Sequence, residues 1–147
     1  FTIVRNPFDR MIAEFHCEFG GVGSFAHLYN VESFNKYLIE KINIPSSHNG
    51  HYREQREYVD PDPRFAPVRV LRYENIAPEF DSLMADYSIG IEWPAYSGSG
   101  SHIFGAQDMG KELVERIQSV YRNDFVMYVY ALAFLCIASS CSPSAVL

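Results

Sequence analysis

One arginine at the end of an apolar run is the first residue in this chain placed to do chemistry. Arg5 follows Phe1-Thr2-Ile3-Val4 and precedes Asn6-Pro7-Phe8-Asp9. A guanidinium where a strand gives way to a helix can hold phosphate or sulfate, because the first N–H groups of a helix are unpaired and its dipole favours negative charge. In open α/β sheets that same edge is where ligands bind. An arginine in a surface salt bridge at a βα turn fits the pattern equally, and on the residues alone both readings stand. A second cluster, His51-Tyr52-Arg53-Glu54-Gln55-Arg56-Glu57-Tyr58-Val59, brings imidazole, guanidinium, amide and phenol together. Such groups suit a carbohydrate, whose hydroxyls take planar polar partners and whose ring offers an apolar face. A solvated loop with ordinary charges is the alternative.

Other candidate groups are thinner. His16 next to Cys17 has no third partner spaced for a metal or for an activated nucleophile. Gly20-Gly21-Val22-Gly23 has neither the preceding strand nor the following Lys-Ser/Thr that a phosphate-binding loop requires, so it is expected to be a flexible loop. Cys17, Cys136 and Cys141 show no metal-like spacing, and an odd count gives no disulfide framework. Free thiols are expected, with a Cys136–Cys141 bridge as the alternative in an oxidising compartment. No metal site is expected.

The elements that would position these residues can be read from spacing. Residues 1–4 are β-prone and suit a buried strand. Asn6 is a good N-cap, Pro7 a good first helical residue, and Asp9 sits in the first turn, where a carboxylate is favoured. Phe8, Met11, Ile12 and Phe15 then share one helical face. A second amphipathic helix is predicted over 32–42, with Phe34, Tyr37, Leu38 and Ile42 inward and Pro45 as its stop. Residues 46–67 read as a long polar surface loop or one holding a short helical turn, and 68–73 as a second strand ended by Glu74-Asn75. Pro78 is expected to open a helix whose inner face carries Phe80, Leu83, Met84 and Tyr87. A Gly/Ser-containing loop follows over 91–109. Asp108 then caps a last helix over 110–121, with Leu113, Ile117, Val120 and Tyr121 inward. The apolar run at 125–138 is shorter than the roughly twenty residues a membrane helix needs, so core or terminal packing is expected. The Ser-rich end reads as a frayed tail.

Composition bounds the class. At 147 residues, the chain holds one domain or less. With 48% hydrophobic and 15% aromatic residues it can bury a core, which excludes disorder. A net charge of −6 argues against a general nucleic-acid binder. The sequence opens within a strand and shows no signal segment, as expected of a fragment of a longer protein.

The stretch Phe1-Thr2-Ile3-Val4-Arg5-Asn6-Pro7-Phe8-Asp9-Arg10-Met11-Ile12-Ala13-Glu14-Phe15 resembles the 3′-phosphate-binding segment of sulfotransferases that use 3′-phosphoadenosine-5′-phosphosulfate (PAPS), above all the carbohydrate sulfotransferases of the Golgi. That pattern is an apolar strand, Arg-Asn/Asp-Pro-aromatic-Asp/Glu-Arg, two apolar residues, a serine and then an aromatic. The serine position is Ala13 here. In the family the arginine and the serine both hold the cofactor's 3′-phosphate, so Arg5 carries over and Ala13 marks a lost contact, at a cost of roughly 1–3 kcal/mol in cofactor binding. Later blocks come in the family's order. His51, Gln55, Tyr58 and Val59 match its His-x-x-Pro-Gln-x-x-Tyr-Val segment, with Glu54 at the proline. "SFNKYL" and "VLRYENI" resemble its following helix and a later strand. Tyr121, Asp124, Phe125 and Tyr130 match its closing signature, with Val129 at the usual glycine.

The resemblance implies an α/β, P-loop NTPase-like sulfotransferase fold, present here in part: 1–130 as the C-terminal part of the domain and 131–147 as an unassigned tail. The implied reaction moves a sulfuryl group from PAPS to a carbohydrate hydroxyl. It needs cations for the spreading charge and a base for the hydroxyl, much as phosphoryl transfer does. The implied cofactor-binding positions are Arg5, Ala13, Ser99 and Ser101, the last two mapped by order along the chain. His51, Arg53 and Gln55 are the implied acceptor-side residues. Glu74 falls near the site and is expected to pair an arginine or cap the following helix. The family's 5′-phosphosulfate loop and its usual base precede the 3′-phosphate strand, which leaves the catalytic base unassigned and His51 a possible stand-in. Kinship also implies a Golgi membrane protein anchored near its N-terminus, lumenal side. Two alternatives remain: a catalytically incomplete module that binds an anion or glycan, and, fitting less well, a P-loop kinase relative.

Overall fold

A computed structural model describes residues 1–44, 50–59, 68–94 and 102–127. Ser99, Ser101, Cys136, Cys141, Pro45, residues 60–67 and the residues past 127 lie outside the described residues. The fold is mixed α/β and mostly helical, with a two-stranded parallel sheet. Strand β1 (Thr2–Val4) pairs in register with β2 (Val70–Arg72), Ile3 opposite Leu71. Between them in sequence lie helices α1 (Pro7–His16) and α2 (Val31–Ile42). Helices α3 (Ile76–Asp86), α4 (Lys111–Val120) and α5 (Arg122–Met127) follow β2.

Helix α1 forms where its capping residues predict. The Asn6 side chain accepts from the Phe8 N–H at 3.0 Å, Pro7 opens the helix, and Phe8, Met11, Ile12 and Phe15 are buried. Phe15 is the hub of the core. Its ring meets Phe34 at 4.9 Å, Tyr29 at 5.2 Å, Tyr37 at 5.3 Å and Phe104 at 5.7 Å, each edge to face, the favoured geometry for aromatic quadrupoles. Leu38 from α2, and Leu113, Ile117 and Tyr121 from the α4 segment, complete the same cluster. Leu71, Leu83 and Met84 form a smaller one between β2 and α3. Among the described residues, no helix is long and apolar enough to cross a membrane.

Several boundaries differ from expectation, each for a local reason. Helix α2 starts at Val31 because Asn30 and Ser33 form a reciprocal capping box, and it ends at Ile42 with Asn43 as its cap. Helix α3 starts at Ile76, two residues before Pro78, so the proline sits inside the first turn, where its missing N–H costs nothing. Tyr87 falls past the helix end and is 70% exposed rather than inward. Asp108 does not cap α4. Its carboxylate accepts from Gly105 N–H at 2.8 Å within the turn at Ala106–Asp108, and Gly110 occupies the cap position. The glycine run after α1 is packed, not loose. A Cβ on Gly21 would fall on the carbonyl oxygens of Glu14 and Phe15, while Val22 N–H donates to the Phe15 carbonyl at 2.8 Å. Glycine is needed there for close approach.

Candidate functional site

Arg5 sits where β1 ends and α1 begins, and its backbone is clamped. Its N–H donates to Gln55 Oε1 at 2.7 Å, and Gln55 Nε2 donates back to its carbonyl at 2.8 Å. The Gln55 amide thus stands where a neighbouring strand's peptide would pair. Gln55 is 6% exposed and is itself held through its backbone. Its N–H and that of Arg56 donate to the two carboxylate oxygens of the fully buried Asp124, at 2.9 and 3.0 Å. Asp124 is carried by α5, so that helix fixes the Gln55–Tyr58 turn and, through it, Arg5. The Arg5 guanidinium lies over the Tyr73 ring, 4.4 Å from its centroid. Among the described residues, that guanidinium has no carboxylate or carbonyl partner.

The helix start beside it offers less than its position alone suggests. Asn6 N–H donates to Glu74 Oε1 at 2.6 Å, Pro7 has no N–H, and Phe8 N–H goes to the Asn6 cap. Sequence reasoning expected these donors to be open to an anion; Glu74 and Asn6 occupy them. Glu74 therefore serves the start of the preceding helix, and the following strand-to-helix turn is tied instead by Glu79, which accepts from Arg72 N–H at 2.6 Å. Ala13 lies half-buried on α1 and has no polar atom beyond its backbone.

Beyond the Gly/Ser loop, His102 stacks on His16, centroids 4.5 Å apart and planes 6° apart. His16 is fixed by two backbone groups, its Nδ1 2.9 Å from the Ile12 carbonyl and its Nε2 accepting from Ile103 N–H at 3.2 Å. His102 is pushed below the ordinary histidine range by partial burial, then by His16 and by the charge of Arg5.

The second cluster opens onto a groove of about 400 Å³ lined by the β1 residues together with Arg10, Glu14, His51, Gln55 and Tyr58. His51 Nδ1 lies 2.9 Å from Glu14 Oε2. Arg10 is a strut. It donates to the carbonyls of His51, at 3.4 Å, and of Arg53, stacks 5.0 Å from the Tyr121 ring centroid, and lies 3.8 Å from Asp124. Burial pushes Tyr121 up to about 12, and its hydroxyl donates to the Tyr52 carbonyl at 2.8 Å. Of the three expected acceptor-side residues, His51 faces this groove and Gln55 lines it with its amide engaged by Arg5. The Arg53 side chain runs instead to Glu57, 3.8 Å away.

Sequence reasoning placed Arg5, His51 and Gln55 near one another. It missed Glu14, Arg10 and Asp124 as the groups that hold them. Asp124 carried a signal, since it sits in the closing Tyr-x-x-Asp-Phe block; Glu14 and Arg10 look like ordinary helix-surface charges. Among the described residues, no group of His, Cys, Asp or Glu is arranged to hold a metal ion. No protein-family model matches the chain, and comparisons with curated proteins and with solved structures find no match.

Proposed function

We propose that this chain is part of a PAPS-dependent sulfotransferase of P-loop NTPase-like fold, transferring a sulfuryl group to a carbohydrate hydroxyl. The observation that carries the reading is Arg5: a guanidinium whose backbone is tied at both ends to Gln55 and whose head has no carboxylate or carbonyl partner among the described residues. A cation held so firmly and left without an anion is suited to a phosphate that arrives with a ligand. Tyr73 packs against the guanidinium, whose planar fork of donors suits bidentate contact. In this reading Arg5 takes the 3′-phosphate, Ala13 supplies no hydroxyl to it, and Ser99 and Ser101, assigned by their order along the chain, are further contacts to the nucleotide. The groove with His51 receives the acceptor, and Gln55 positions Arg5 rather than touching sugar. A lumenal Golgi location and an N-terminal membrane anchor belong to the same proposal.

A second reading, a module that binds an anion or glycan without catalysis, draws support from Ala13 and from the Glu74 carboxylate on Asn6 N–H. Calorimetry with 3′,5′-adenosine diphosphate and with 5′-adenosine monophosphate tests the nucleotide reading. A site built for the 3′-phosphate binds the diphosphate at least tenfold more tightly, whereas equal affinity for the two contradicts it.

A further inference from the structure

His51 is seated on three sides. Glu14, on the third turn of α1, places Oε2 at 2.9 Å from Nδ1. Behind the ring lies Gly20. A Cβ at that position would stand 2.8 Å from His51 Cγ and 2.9 Å from Nδ1, so the imidazole rests directly on the Gly20 backbone and a larger residue there would displace it. From below, Arg10 holds the His51 carbonyl at 3.4 Å. With Nδ1–H donated to Glu14, the lone pair sits on Nε2, which has no hydrogen-bond partner among the described residues. The ring borders the groove whose other members include Ile3, Val4 and Tyr58. An ordinary surface ion pair does not require a glycine under the ring or a half-buried arginine holding its backbone. A histidine whose orientation is set by a carboxylate at one nitrogen, with the other nitrogen open beside a cleft, is the arrangement of a general base.

We propose that His51 is the general base for the acceptor hydroxyl, with Glu14 and Gly20 as positioning residues. The proposal rests on the sulfotransferase reading and deepens it. In the step, the hydroxyl oxygen attacks the sulfur of PAPS and forms the new S–O bond. The bond from sulfur to the 5′-phosphate oxygen breaks, and 3′,5′-adenosine diphosphate leaves with that electron pair. The hydroxyl proton passes to Nε2 of His51, and Glu14 balances the imidazolium until the proton returns to solvent. The acceptor keeps a sulfate ester.

The test uses the intact protein with PAPS and a panel of unsulfated hexosamine-containing oligosaccharides, alongside binding of 3′,5′-adenosine diphosphate. His51→Gln is expected to lower kcat by roughly 10²- to 10⁴-fold and to abolish the acid limb of the pH–rate profile, with nucleotide affinity unchanged. Glu14→Gln and Gly20→Ala are each expected to lower kcat about tenfold and to displace that limb, and Glu14→Asp to restore part of the rate. A His51→Gln variant that keeps its rate within threefold, or keeps the acid limb, overturns the assignment and leaves the Arg5 reading standing. A wild-type protein that binds the nucleotide and transfers to none of the panel also overturns it, in favour of binding without catalysis. Failure of the wild type to bind the nucleotide removes both proposals together.

Discussion

The two sides of the Arg5 junction are built very differently. Among the described residues, thirteen buried side chains gather around α1, α2, α4 and α5, while β2 and α3 share three. On the large side, Asp124 satisfies two backbone donors and Gln55 pairs both backbone groups of Arg5. On the small side, the guanidinium rests on an exposed tyrosine, and Glu74 and Glu79 accept from the backbone of Asn6 and of Arg72 at the surface. The backbone of the candidate anion site is therefore anchored by the stable side, and its charged head lies toward the side that opens at lower free energy.

That contrast can be broken most forcefully at Asp124. Asp124→Ala leaves the N–H groups of Gln55 and Arg56 without acceptors and Arg10 without its buried partner, and is expected to cost about 3–5 kcal/mol in urea denaturation. Leu113→Ala in the large core is expected to cost about 4 kcal/mol, and Leu83→Ala in the small one about 2. Equal costs for the two leucines would erase the distinction drawn between the cores.

A spectroscopic check follows from Tyr121 and Tyr52, both raised by burial, Tyr121 to about 12. The unfolded chain loses these protons near 10 while the folded one keeps them, so their stabilising contribution is complete below pH 10 and is lost as pH climbs toward 12. Absorbance at 295 nm should show these two phenols ionising together with unfolding; their free titration near 10 in the folded protein would contradict the packing. His102 works in the other direction. Its folded value is lowered from 6.5, so the unfolded chain takes up a proton first and stability declines as pH falls below about 6.5. Because Arg5 contributes to that lowering, 3′,5′-adenosine diphosphate should raise the His102 value in an NMR titration. The smallest expected effect is at Ala13. Returning a hydroxyl by Ala13→Ser should tighten the same nucleotide by about fivefold or more, in line with a contact of roughly 1–3 kcal/mol.

Much of the large side was legible in the residues. The Asn6-Pro7 start of α1 and the Phe8, Met11, Ile12 and Phe15 face follow from local rules that no distant contact overrides. The inward stripe at Leu113, Ile117 and Tyr121 does too. What could not be read was long-range. The clamp from Gln55 to Arg5 joins residues fifty apart, and the seat of Asp124 under the Gln55 turn spans sixty-nine. Nothing in local spacing announces that Gly20 makes room for His51. The occupied helix start was misjudged for the same reason, because Glu74 reaches Asn6 across sixty-eight residues. Tyr87 was misplaced because the helical period was extended past the point where α3 ends.

The central claim is that Arg5 is a cation held ready for a nucleotide's 3′-phosphate. It is tested most directly by measuring 3′,5′-adenosine diphosphate and 5′-adenosine monophosphate binding to wild type and Arg5→Ala. The account predicts that the variant loses roughly 10- to 100-fold in affinity for the diphosphate, the worth of a charge-assisted hydrogen bond, with affinity for the monophosphate unchanged. Unchanged affinity for the diphosphate would contradict it.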